Sequence, residues 1–416
     1  MEADRLTYEI FSILESKFLF GYGGGDPKSL QYCGGGGALP ASGSRGGKVC
    51  VLCIDGGARP EDGLLAASAL VRLEAAVQRR AGSKAARLAD FFDVAAGSGA
   101  GGVLAAMMFA RGPCGRPMYS ADDALGFLLR RVRRHGWSAR AGGLLRRPGG
   151  AFHKVFGEMT LRDTVRPVLV PCYDLATRAP FLFSRADAAQ STAYDFRLRD
   201  ACAATCAPSA GTAVEVSSVD GVTRITAVGS GVALGNPTAA AITHVLNNRR
   251  EFPAAAGSID NLLVISIGTG ETGNSRRAAS RARTPVIARI AAEGASDMVD
   301  QAVAMAFGHN RTSNYVRIQG MGVARRRGER GVACGGEETE KAVWVAEAML
   351  QQRNVEAVMF QGRRLAGETN AEKLERFSRE LIREHGRRKQ QQQQHQVAAT
   401  ARHAGELSTP ATKKQL

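Results

Sequence analysis

The sequence predicts an α/β fold, a central and mostly parallel β-sheet with helices on both faces. Two observations predict it. Short, almost unbroken apolar runs at residues 49–54, 91–96 and 262–267 each end in a glycine-containing turn, as strands buried on both faces do. Helical patterns follow the first two turns, so strand, turn and helix repeat in the order that builds parallel sheets. With 44% hydrophobic residues among 416, the chain has the apolar material for a large core, and a wholly disordered protein is excluded.

Taken in order, residues 1–20 form an amphipathic helix with Leu6, Ile10, Ile13 and Leu14 at helical spacing, read as packed on a core in preference to a membrane-surface anchor. Residues 21–47, rich in glycine, form a flexible linker. The α/β domain spans 48–320, with strands at 49–54, 91–96, 168–172, 181–183, 225–228 and 262–267 and helices at 64–77, from 103, and at 285–307. A helical extension covers 321–385, including a helix at 337–352. From 386 to 416 a basic stretch, five glutamines from Gln390 to Gln394 and a polar end predict a disordered, glutamine-rich tail.

Lys and Arg number 55 against 39 Asp and Glu, a net charge of +16, which favours polyanionic partners. Between Arg130 and Arg147 arginines interleave with Trp137, Leu144 and Leu145 without an acidic residue. That pattern suits a peripheral anionic membrane surface and equally a solvated basic face. Nucleic acid is the less favoured partner, because the aromatic residues form no stacking motif. No stretch of about 18 uncharged apolar residues occurs, and Glu2, Asp4 and Arg5 stand where a secretory signal has a basic start and an apolar run. A cytoplasmic protein, peripheral at membranes, is the expectation, and its scattered cysteines are expected to be free thiols.

Two turns can carry chemistry, Asp55-Gly56-Gly57-Ala58-Arg59 and Gly97-Ser98-Gly99-Ala100-Gly101. Sites in open α/β sheets lie at strand carboxyl ends, and the N–H groups of such turns can hold a phosphate or an oxyanion. The second turn has the strand–turn–helix setting of a G-x-S-x-G nucleophile elbow, with Gly99 in the serine's place. Ser98 is weighed as a substitute nucleophile against the plainer reading of a turn-forming serine. Asp220 reads as a hairpin turn, His244 as a core or surface residue, and Cys50-Val51-Leu52-Cys53 as strand residues on opposite faces, not a metal or redox pair. Neither a metal nor a cofactor is expected.

These motifs, in order, resemble the patatin-like lipid acyl hydrolases, and more closely the plant patatin-related phospholipase A branch that lacks the elbow serine. The resemblance rests on Asp55-Gly56-Gly57, on Phe92-Asp93-Val94-Ala95-Ala96-Gly97, on Ala203-Ala204-Thr205-Cys206-Ala207-Pro208, and on Val228-Gly229-Ser230-Gly231 leading to Asn236-Pro237-Thr238. Ile265-Ser266-Ile267-Gly268-Thr269-Gly270 and Asn314-Tyr315-Val316-Arg317-Ile318 continue it. It implies a three-layer patatin-like fold, an oxyanion hole at Gly56, Gly57 and Ala58, and a Ser–Asp dyad at positions 99 and 229. Both dyad side chains are absent, since Gly99 and Gly229 occupy those positions, and Arg59-Pro60-Glu61-Asp62 lengthens the oxyanion loop. The activity it implies is slow, metal-free hydrolysis of fatty-acyl esters of membrane phospholipids and galactolipids. The alternative is a catalytically inactive relative that binds lipid or fatty acid in a regulatory role.

Overall fold

The structure, a computed structural model, describes residues 47–135, 150–229, 231, 234–255, 258–270, 286–321, 337–358 and 361–406. The predicted N-terminal helix, nearly all of the linker, and residues 136–149 of the basic segment lie outside the described residues.

In chain order the elements are β1 (Val49–Ile54), α1 (Leu64–Ala81), β2 (Val94–Gly97), α2 (Ala100–Phe109), α3 (Ala121–His135), α4 (Gly150–Phe156), β3 (Val168–Asp174), β4 (Ala179–Ser184), α5 (Arg185–Gln190), α6 (Leu198–Thr205), β5 (Val214–Ser217), β6 (Arg224–Gly229), α7 (Thr238–Asn247), β7 (Leu262–Ile267), α8 (Val286–Phe307), α9 (Arg311–Asn314), β8 (Tyr315–Ile318), α10 (Glu337–Gln351), β9 (Arg353–Ala357), β10 (Arg363–Thr369) and α11 (Asn370–Glu406). The main sheet runs β5-β6-β3-β2-β1-β7-β8, with β4 also paired to β3. Strands β3, β2, β1, β7 and β8 are mutually parallel, and β4, β5 and β6 are antiparallel additions. The predicted α/β class, a mostly parallel sheet between helices, is the fold observed.

Alternation along β1 shows why its six residues are all apolar. Cys50, Leu52 and Ile54 pack in one core with residues of α1, α2, α3, α6 and α11. Val49, Val51 and Cys53 pack in the other, with residues of α7 and α8. A strand covered on both faces needs apolar side chains at every position, and each fully buried Val, Leu or Ile contributes about 1.5–3 kcal/mol. The same division places Cys50 and Cys53 on opposite faces, so they cannot pair.

Two expectations are corrected. Residues 91–93 precede β2; Asp93 still donates its N–H to Cys50 O at 2.9 Å but accepts the Cys50 N–H at 2.7 Å through its side chain, where the regular strand begins. The tail expected to be disordered from residue 386 begins as helix, because α11 continues through the five glutamines to Glu406. Its turn at residues 384–388 is fixed to the sheet: Glu384 accepts the Lys48 N–H at 2.7 Å, and Arg388 pairs with Asp93 at 2.7 Å. Glutamine is a good helix former, so residues beyond that anchor extend the helix. Among the described residues no helix is long and apolar enough to cross a membrane.

Candidate functional site

The carboxyl ends of β1, β2 and β7 converge on the two glycine-rich turns. Gly99, between β2 and α2, has φ +54° and ψ −126°, a region that strains any residue with a side chain. Its N–H donates to Thr205 Oγ1 at 2.8 Å. A Cβ on Gly99 would collide with the Gly57 carbonyl oxygen and lie 2.9 Å from that of Gly56. The Gly57 carbonyl in turn accepts the Ala100 N–H at 2.9 Å. The turn thus has the bend of a nucleophile elbow, while a backbone carbonyl fills the space of the missing nucleophile.

The facing loop, Asp55 to Arg59, starts where Asp55 N–H donates to Ile267 O at 2.8 Å. Gly56 lies backbone to backbone on the elbow, where a Cβ would be 2.5 Å from the Gly101 nitrogen. Among the described residues, the N–H groups of Gly56, Gly57 and Ala58 have no hydrogen-bond partner. The two extra residues after Arg59 are taken up in a single 3-10 turn, Pro60–Gly63, whose Asp62 accepts the Arg59 N–H at 3.2 Å and pairs with its guanidinium at 2.8 Å. The longer loop is therefore folded onto itself and sets the Asp62 carboxylate against Gly57, where a Cβ would collide with Asp62 Oδ2.

Beneath the loop lies a buried ion pair. Asp55 Oδ2 accepts from Arg317 Nη2 at 2.5 Å, and Arg317 Nη1 donates to Ser266 Oγ at 2.6 Å. Ser296 Oγ on α8 reaches the same carboxylate at 3.4 Å, and Tyr315 OH donates to Asp300 at 2.5 Å alongside. Burial alone would lower the pKa of the guanidinium, but Asp55, with Asp300 and Tyr315 beside it, outweighs that and holds Arg317 charged. The pair ties β1 to β8 across β7 and so fixes where the Asp55–Arg59 loop begins. Sequence reasoning missed Arg317. The available signal was an arginine inside an otherwise apolar strand, Tyr315-Val316-Arg317-Ile318, a position that a charge occupies only when paired.

Gly229, at the end of β6, donates its N–H to Ala207 O at 2.7 Å. A Cβ there would lie 2.6 Å from Thr205 O and 2.9 Å from Ala207 O. Thr205, which holds the elbow through Gly99, thus also lies against Gly229, and the two dyad positions are neighbours in space with no room for side chains. Ser98 is fully buried, with its N–H bound to Ile54 O at 3.1 Å and its carbonyl accepting from Gly102 N–H at 3.2 Å. Asp220 lies in the β5–β6 hairpin turn, accepting from Ser218, Thr192 and Val222. His244, on α7, faces Phe252, and burial lowers its pKa. Among the described residues no cluster of His, Cys, Asp and Glu could hold a metal.

Cys206, next in sequence to Thr205, is fully buried; burial, reinforced by Asp62, raises its thiol pKa. Burial likewise pushes Cys53 and Cys172 up to about 12, so none of these is a thiolate at neutral pH. Brief alkylation of the native protein with iodoacetamide, followed by peptide mass mapping, is expected to label exposed Cys114 and spare Cys50, Cys53, Cys172, Cys202 and Cys206. Labelling of Cys206 at the rate of Cys114 would mean an open elbow.

Comparison with known proteins places this arrangement. The chain is 88% identical over 393 residues to Patatin-like protein 3 of Oryza sativa subsp. indica, covering 93% of this chain and 92% of that protein. The chain belongs to the patatin-like protein family. It is also 44% identical over 411 residues to Patatin-like protein 7 of Arabidopsis thaliana, across 93% and 82% of the two chains. Probable inactive patatin-like protein 9 of the same plant shares 37% identity over 402 residues, across 92% and 93%. No family model matches the chain. In this patatin-like protein the Asp55–Arg59 loop, the turn at Gly99 and the Asp55–Arg317 pair form one connected assembly at the sheet's carboxyl edge.

Proposed function

We propose that this patatin-like protein hydrolyses fatty-acyl esters of phospholipids and galactolipids slowly, with water attacking where the family uses a serine. The observation that carries the reading is the row of N–H groups at Gly56, Gly57 and Ala58 beside the elbow, which have no partner among the described residues. Such donors stabilise the oxyanion formed when an ester carbonyl is attacked. Water adds to the acyl carbon, the oxyanion rests on the loop, and its collapse breaks the ester bond, the proton given up by the water passing to the departing alkoxide, to release fatty acid and lysolipid. An oxyanion hole and binding without the nucleophile leave about 10³–10⁴ over the uncatalysed rate. No metal or cofactor takes part in this reading, and membrane lipid is the substrate.

A second reading, a lipid- or fatty-acid-binding protein without catalysis, is favoured by the Gly57 carbonyl that fills the elbow and by the likeness to Probable inactive patatin-like protein 9. One experiment separates the two: fatty-acid release from phosphatidylcholine and galactolipid vesicles by purified protein. Slow release that persists in Ser98→Ala and after treatment with a serine-directed fluorophosphonate is the expected result. Release abolished by either would assign a serine to the reaction, and no release by the wild type would leave the binding reading.

A further inference from the structure

At the amino end of the sheet, away from the elbow, lies a cavity of about 540 Å³. It opens between the segments that lead into β2 and β3 and the side of α11. Arg116, Arg166 and Lys389 face it, against one carboxylate, Asp90. That carboxylate is already paired with Arg116 at 3.0 Å. Arg166 and Lys389 have no hydrogen-bond or ion-pair partner among the described residues, so the cavity presents two solvent-facing cations without a protein counter-charge.

Arg166 and Lys389 are both exposed, and the backbone that supplies Lys389 is fixed. Arg388, next to Lys389 in sequence, pairs with Asp93 at 2.7 Å and with Glu384 at 3.1 Å. One turn earlier the His385 ring packs on Phe91, with centroids 4.8 Å apart. The helical turn that supplies Lys389 is therefore anchored on both sides. Phe91, Val165 and the alanines of the α1–β2 connection give the cavity an apolar wall.

Small-molecule sites measure about 300–1,000 Å³ and combine an apolar wall with a few convergent polar groups. A bare inorganic anion would leave most of this volume empty. A guanidinium fork and an ammonium across a cavity match a phosphate, which accepts several charge-assisted hydrogen bonds at once. We propose that this cavity binds a phosphate monoester, its phosphate between Arg166 and Lys389 and its organic part against Phe91 and Val165. The site is independent of the elbow and of any hydrolysis there. A soluble phosphorylated metabolite and the headgroup of a phosphatidic-acid-like lipid carry the same group.

The test uses the full chain in two arms. Calorimetric titration with glycerol 3-phosphate, beside inorganic phosphate, reads the soluble source. Co-sedimentation with phosphatidylcholine vesicles, with and without phosphatidic acid, reads the lipid source. Arg166→Glu and Lys389→Glu are each expected to weaken binding in the responding arm by about tenfold or more. Arg224→Glu, an exposed arginine on β6, is expected to leave it unchanged, and circular dichroism checks that all three variants are folded. The ester binding more tightly than inorganic phosphate supports the apolar wall. The proposal is overturned if neither arm shows binding by the wild type, if both cavity reversals bind like the wild type, or if Arg224→Glu weakens binding as much as they do.

Discussion

Arg317→Met is expected to destabilise the protein by about 3–5 kcal/mol at pH 7, because it leaves the Asp55 carboxylate buried and unpaired. Asp55 Oδ2 faces Arg317 and Ser296, while among the described residues its Oδ1 has no hydrogen-bond partner. Burial already pushes the Asp55 carboxyl above its ordinary pKa, and Arg317 is the main opposing influence. Without the guanidinium the folded-state pKa rises further above the unfolded value. A carboxyl shifted in that direction binds more protons folded than unfolded, so stability falls as pH rises and returns as pH drops toward the unfolded pKa. The urea midpoint of the variant should therefore lie far below wild type at pH 7 and recover part of the gap at pH 5. The double variant Asp55→Asn/Arg317→Met should be less damaged than Arg317→Met alone, since the buried charge is gone. A midpoint at pH 7 equal to wild type would show that the pair is not holding β1 to β8.

Gly99→Ser with Gly229→Asp restores the dyad's residue types, yet it is expected to gain no hydrolytic activity and to lose stability. The serine Cβ would collide with the Gly57 carbonyl in a positive-φ conformation, and the aspartate Cβ would sit 2.6 Å from Thr205 O. Each site costs about 1–3 kcal/mol through backbone strain or overpacking. To admit the serine, Gly57 must give up its bond to the Ala100 N–H, which displaces the loop whose donors the reaction needs. Urea denaturation and fatty-acid release, measured on the same preparation, check both halves. A stable double variant with sharply raised release would show that the loop swings open at little cost.

Much of this was legible in the sequence. The runs at 49–54 and 262–267 are β1 and β7 to the residue, because a strand buried on both faces leaves an unbroken apolar signature. The helix read at 64–77 runs on to Ala81, where Gly82 at φ 64° caps it. Shorter edge strands left no such mark: Val214–Ser217 alternates buried and exposed over only four residues, and the β9–β10 hairpin, with Gly362 at φ 84° leading into β10, stands inside the segment expected to be a helical extension. The helical start of the glutamine-rich segment was hidden because its anchor, Arg388 on Asp93, joins residues almost 300 apart.

The sequence by itself determined the α/β class, the family, the place of the two glycine turns, and the absence of the serine and aspartate at positions 99 and 229. All of these follow from residue type and local order. Only the tertiary structure decided that the Gly57 carbonyl occupies the empty elbow, that Thr205 lies against both dyad positions, that Arg317 secures Asp55, and that Arg166 and Lys389 share a cavity. Those facts depend on backbone approach between segments far apart in the chain, at distances where a single Cβ is too large. Periodicity and motif spacing carry no record of that scale.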